Sequence, residues 1–190
     1  MGNLEYSTVC FTGRRPKDLF GYNHDAYIPL VNTLKNKIRS LYNLNYRTFI
    51  TGGAQGVDQL AFWAVNALKR DENLPLWNVL YLPFRGQEGI WKDTGLFSKA
   101  DYQLMLRYAD QITYVTPNVD PNNRQQVVKA LYDRNHAMVD DSQFCLGVYP
   151  DMSWRNSKGG TAECLKYCLK KGKAAHIITP TTLQVVDIIN

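Results

Sequence analysis

The chain has 190 residues, 45% of them hydrophobic and 21% charged, a globular balance that argues against a disordered or fibrous protein. Its 22 basic and 17 acidic residues leave a net charge of +5, which favours anionic partners only weakly because the cations are scattered. No apolar run is long enough to span a bilayer and no secretory leader is evident, so a cytoplasmic location without membrane contact is expected.

Along the chain, strand and helix patterns alternate. "STVCFTG" (7–13) is a short apolar run ending in glycine. Ile28, Val31, Leu34, Ile38 and Leu41 then recur at helical spacing. "RTFITGG" (47–53) reads as the second strand, and Val57, Leu60, Ala61, Ala64 and Leu68 mark the second helix. "NVLYLP" (78–83) is the third strand, followed by a loop with Gly86 and Gly89 and a helix from Ser98 to Ala109. "QITYVT" (111–116) is the fourth strand, residues 117–123 are turn-rich, and a helix runs from Gln125 to Val139. "QFCLGVYP" (143–150) is the fifth strand, and a polar loop leads to a helix from Thr161 to Lys171. "AAHIITP" (174–180) is the sixth strand, and a short tail closes the chain.

Short apolar strands joined by helices are the pattern of parallel strands buried on both faces. The expected fold is α/β: one Rossmann-like, doubly wound three-layer sandwich over residues 1–190, with a mostly parallel sheet of about six strands.

Strands one, two and five each end in glycine and polar residues before a helix: "FTGRRP" (11–16), "TGGAQGVD" (51–58) and "SKGGTAE" (157–163). In a parallel sheet such turns share one edge, where open α/β sheets bind ligands. Gly13, Gly52, Gly53, Gly56, Gly159 and Gly160 would let backbone approach a ligand. Helix starts after Gly56 and Gly160 suit phosphate, and Arg14 and Arg15 would add bidentate contacts. Each turn alone is better explained by a tight connection than by a phosphate cradle; it is the three together, with the paired arginines, that favour a ligand. Asp58 is either a first-turn carboxylate matched to the helix dipole or an acceptor for ribose hydroxyls. Neither the dinucleotide fingerprint nor a Walker-type loop is present.

Phe84 and Trp91 flank "RGQEGI"; an aromatic there would stack on a base, or fold back as a plug, while Gln87 would read a base edge. Trp154, in the polar loop before the third glycine turn, would form a lid or lie in a disordered segment. The four cysteines lack metal-ligand spacing, and Cys10, Cys145, Cys164 and Cys168 are expected as buried free thiols. His24, His136 and His176 form no metal-ligand cluster, so neither metal nor cofactor is expected.

"VCFTGRRP", "FITGGAQGVDQLA", "LPFRGQEGIW", "YADQITYVT", "RNHAMVDDSQFCLGVY" and "KGGTAECLKYCLKKGKAAHIITP" together resemble the YpsA-like branch of the SLOG superfamily, in order from Val9 to Pro180. This superfamily joins the DNA-processing protein DprA and the LOG cytokinin-activating enzymes. The resemblance implies a nucleotide or nucleotide-derived ligand, with Thr161 in the binding set and a homodimer as a common assembly. LOG enzymes cleave the N-glycosidic bond of nucleoside monophosphates. Their signature is an Arg-Lys pair, a methionine four residues after the Arg, and P-G-G-x-G-T-x-x-E. Arg134 and Met138 keep that spacing, Asn135 replaces the lysine, and Glu163 stands one residue before the position of the glutamate, which is Cys164 here. Arg134 and Glu163 are thus the catalytic candidates for that alternative, while Glu163 is equally well read as a first-turn carboxylate matched to the helix dipole. The loop "TGGAQGVDQLA" is similar to the DprA loop, which implies single-stranded nucleic-acid binding as a further alternative.

Overall fold

The structure, a computed structural model, describes residues 7–188. Residues 1–6 and 189–190 of the span assigned to one domain lie outside the described residues. The elements run β1 (Ser7–Gly13), α1 (His24–Asn43), β2 (Tyr46–Thr51), α2 (Val57–Asp71), β3 (Trp77–Leu82), α3 (Lys99–Tyr108), β4 (Gln111–Tyr114), α4 (Arg124–Asp140), β5 (Phe144–Val148), α5 (Gly160–Lys170), β6 (Ala175–Ile178) and β7 (Val185–Ile188).

The sheet order is β4-β3-β2-β1-β5-β6-β7. Strands β1 to β6 pair in parallel, and β7 pairs antiparallel with β6. The chain winds outward from β1 to β4, then returns through α4 to lay β5 on the free side of β1. This reversal creates a crevice at the carboxyl ends of β1 and β5, where open α/β sheets take their ligands.

Alternation along the strands feeds two cores. Val9, Phe11, Phe49 and Leu146 pack with Leu30, Leu34, Ile38, Ala61 and Leu68 of α1 and α2. Cys10, Ile50, Cys145 and Ile177 point the other way, toward Met138, Ala162 and Leu165 of α4 and α5. Helices on both faces make the doubly wound three-layer sandwich.

Several details differ from the sequence reading. The sheet has a seventh strand where a tail was expected: β7 is four residues long with only Ile188 buried, too short and exposed to carry a pattern. Strand β2 stops at Thr51, so Gly52 and Gly53 belong to the turn. On α1 the buried stripe includes Tyr27 and Leu30, while Ile28 stands 47% exposed. Trp154 is no lid: it is fully buried among Met138, Tyr149 and Leu165, with the Arg155 guanidinium 4.7 Å from its ring. All four cysteines are buried and free.

Candidate functional site

At the β1/β5 crevice lies a cavity of about 370 Å³, within the range of small-molecule sites. Strand β1 and its loop contribute Gly13, Arg14, Arg15, Lys17 and Asp18; the β2–α2 turn contributes Ala54 and Asp58. Helix α4 adds Leu131, Arg134 and Asn135, and the start of α5 adds Gly159, Gly160 and Thr161.

The centre of the wall is a buried ion pair. Arg134 Nη1 donates to Asp58 Oδ2 at 2.9 Å, and both side chains are 7% exposed. The same carboxylate oxygen accepts the Ala54 backbone N–H at 3.2 Å. Asp58 therefore closes the turn that precedes its own helix and holds α4 to it. The turn must be glycine at two points. A Cβ on Gly52 would come within 0.8 Å of Arg134 Nη1. Gly56 has φ +95°, and a Cβ there would meet the Arg14 carbonyl oxygen at 2.7 Å, a conformation and contact that side chains resist.

Two more bonds tie α4 and α5 to β1. Asn135 Nδ2 donates to the Gly160 carbonyl at 3.1 Å, and Thr161 Oγ1 donates to the Gly13 carbonyl at 2.7 Å. No side chain caps α5, so its first-turn N–H groups, on the cavity wall at Gly160 and Thr161, are left for an anion.

The cationic residues differ in their engagement. Arg14 pairs with Asp18 at 3.3 Å and lies 5.1 Å from the Tyr149 ring. The Arg15 carbonyl accepts the Asp18 N–H at 3.0 Å, but its guanidinium has neither hydrogen bond nor ion pair among the described residues. Burial lowers its pKa from the ordinary arginine value, nearby Asp58 opposes that, and Arg134 adds to it. A guanidinium in that position gains from any anion that enters.

Of the sequence-derived candidates, the cavity gathers Gly13, Arg14, Arg15, Asp58, Arg134, Asn135, Gly159, Gly160 and Thr161. Gly52, Gly53 and Gly56 shape the turn behind it. Gln87 is buried at 1% exposure and donates to the Gly52 carbonyl at 3.3 Å and to the Tyr102 hydroxyl at 3.2 Å, so it props the turn from beneath. Phe84 is buried against Val127 and Ala130, and Trp91 packs edge-on against Tyr102 at 5.2 Å. Glu163 does not line the cavity: it accepts from Lys166 at 3.0 Å on the flank of α5. Cys164, one position on, is fully buried. Lys17 and Asp18 were not singled out from the sequence, although Asp18 stands four residues after Arg14, the spacing of their pair. Among the described residues, no group of three or more His, Cys, Asp or Glu is placed to hold a metal ion, and no helix is long and apolar enough to cross a membrane.

The family model described as the YspA SLOG family matches residues 9–183. The chain is also similar to the uncharacterized SPbeta prophage-derived protein YoqJ of Bacillus subtilis (strain 168), with 33% identity over 154 residues, 76% of this chain and 77% of that protein. The match runs from within β1 to beyond β6 and includes both walls of the crevice. The chain belongs to the YpsA family of SLOG proteins.

Proposed function

We propose that this protein binds a nucleotide or nucleotide-derived ligand at the carboxyl edge of its sheet, as a sensor, carrier or sequestering protein. One observation carries the reading. The crevice gathers four cationic side chains, Arg14, Arg15, Lys17 and Arg134, against two carboxylates, each of which already faces an arginine. They surround the uncapped start of α5. A phosphate there would accept from backbone N–H groups and from Arg15 together. The ribose and base would extend toward Leu131 and the β1 loop.

Binding without cleavage is favoured because the carboxylate geometry is poor for chemistry. Glycosidic hydrolysis needs a carboxylate poised at the sugar. Glu163 is held by Lys166 outside the cavity, and Asp58 is committed to Arg134 and Ala54. Calorimetry against mononucleotides, cyclic nucleotides and NAD-derived species tests the reading. Saturable binding that requires the phosphate supports it; silence of the folded protein toward every member at millimolar concentration sinks it.

A further inference from the structure

A second cavity, of about 220 Å³, opens on the helical face formed by α1 and α2, away from the sheet edge. Tyr27, Ile28, Val31, Leu60, Trp63 and Phe97 give it apolar and aromatic walls. His24, Asn32 and Asp101 sit among them, and among the described residues no lysine or arginine lines it. Its chemistry is thus opposite to that of the cationic crevice: a phosphate has nothing to hold it here.

Gln59, from the first turns of α2, also lines this cavity. It is 1% exposed. Neither its Oε1 nor its Nε2 has a hydrogen-bond partner among the described residues. A buried primary amide with both ends unpaired is a rarity, since desolvated polar groups in folded proteins are almost always satisfied. The other buried glutamine and asparagine amides keep at least one end paired: Gln87 Nε2 donates to Gly52 and Tyr102, and Asn78 Nδ2 donates to the Phe62 carbonyl although its Oδ1 has no partner among the described residues. Gln59 offers one acceptor and two donors beside a cavity whose volume suits one or two fused rings rather than a whole nucleotide.

We propose that this cavity is a second ligand site, specific for a neutral heteroaromatic lactam or carboxamide. The ring packs among Tyr27, Trp63 and Phe97, and its adjacent N–H and C=O pair with the Gln59 amide. Both amide atoms are shielded from solvent, so binding turns the amide about its side-chain torsions toward the ring. The proposal stands apart from the nucleotide reading, because it shares neither residues nor charge with the crevice.

The test uses the full chain and two probes of nearly equal shape, hypoxanthine with its lactam edge and purine without it, titrated by ligand-detected NMR. Hypoxanthine is expected to bind at least about tenfold more tightly than purine, the value of a recovered hydrogen-bond pair. Gln59→Leu, close in volume, is expected to bring that ratio to about one. Ile28→Trp, at the exposed rim, is expected to block both probes, and it tests the site should Gln59→Leu fail to fold. The proposal is overturned by no binding of hypoxanthine to folded protein at roughly 10 mM, a limit set by fragment-sized affinity; by hypoxanthine binding that survives Ile28→Trp; or by a ratio unchanged by Gln59→Leu. A wild-type dimer that Ile28→Trp converts to monomer also overturns it, since a second copy would then cover the face.

Discussion

The Arg134 guanidinium lies directly over Gly52, so closely that a Cβ on that glycine would come within 0.8 Å of Nη1, the nitrogen that donates to Asp58 at 2.9 Å. Glycine at position 52 is thus a condition for the buried ion pair. Gly52→Ala is expected to displace Arg134, leave Asp58 buried without its cation, and lower stability by about 3 kcal/mol in urea denaturation. Gly89→Ala, where an added Cβ has nothing within 4 Å, should stay within about 0.5 kcal/mol of the parent. Equal effects at the two positions would contradict the pairing.

Arg15 separates binding from folding. Its guanidinium lines the crevice with no hydrogen bond or ion pair among the described residues, and burial works against its charge. Arg15→Ala should weaken a phosphate-bearing ligand about 10- to 100-fold, the worth of charge-assisted hydrogen bonds. Stability should not fall, because the removed charge was held at a cost. A thermal shift downward by several degrees would show that Arg15 supports the fold instead.

Glu163 provides the contrast. It is turned to Lys166 on the outside of α5 and does not line the crevice. Glu163→Ala is expected to leave ligand affinity within about twofold of the parent, as for a surface change. Nucleoside monophosphates incubated with the protein should be recovered intact by chromatography. Release of free base that vanishes with Glu163→Ala would assign it the catalytic role.

His176 predicts a pH dependence. It lies on β6 with its ring 4.7 Å from that of Phe144. Burial lowers its pKa below 6.5, Lys37 adds to the effect, and Asp187 opposes it. The unfolded chain then binds the proton more readily than the folded one, so this contribution to stability is full above pH 6.5 and is lost as pH falls through the lower folded value. Denaturation midpoints should drop on acidification below pH 6.5, and less steeply in His176→Phe. An identical slope in both proteins would place the acid sensitivity elsewhere.

Local signals carried much of the fold into the sequence. Ser98 caps α3 in a reciprocal box with Asp101, and Asn123 caps α4 through its side chain; such short-range chemistry is readable. Short apolar runs located six strands, while β7 escaped because its stability comes from pairing with β6 rather than from its own pattern. The glycine turns and the two arginines of the first loop were legible at the crevice. The contacts among the candidates were not: Arg134 and Asp58 pair across 76 residues, and Thr161 meets Gly13 across 148. Glu163 shows the limit most clearly. The resemblance to the LOG motif made it a candidate one residue before the expected glutamate, and one residue along a helix turns a side chain by about 100°, enough to carry it to the flank. Gln87 likewise looked like a surface reader of bases and is buried beneath Gly52, a distinction that only packing decides.

The central claim is a phosphate held between the start of α5 and Arg15, and paired calorimetry tests it most directly. Each nucleotide of the panel is titrated beside its own nucleoside, into the parent and into Arg15→Ala. At least one nucleotide is expected to bind with one site per chain, at least about tenfold tighter than its nucleoside, with that advantage largely lost in Arg15→Ala. A nucleoside that binds as well as its phosphate ester, or an advantage untouched by Arg15→Ala, would contradict the claim.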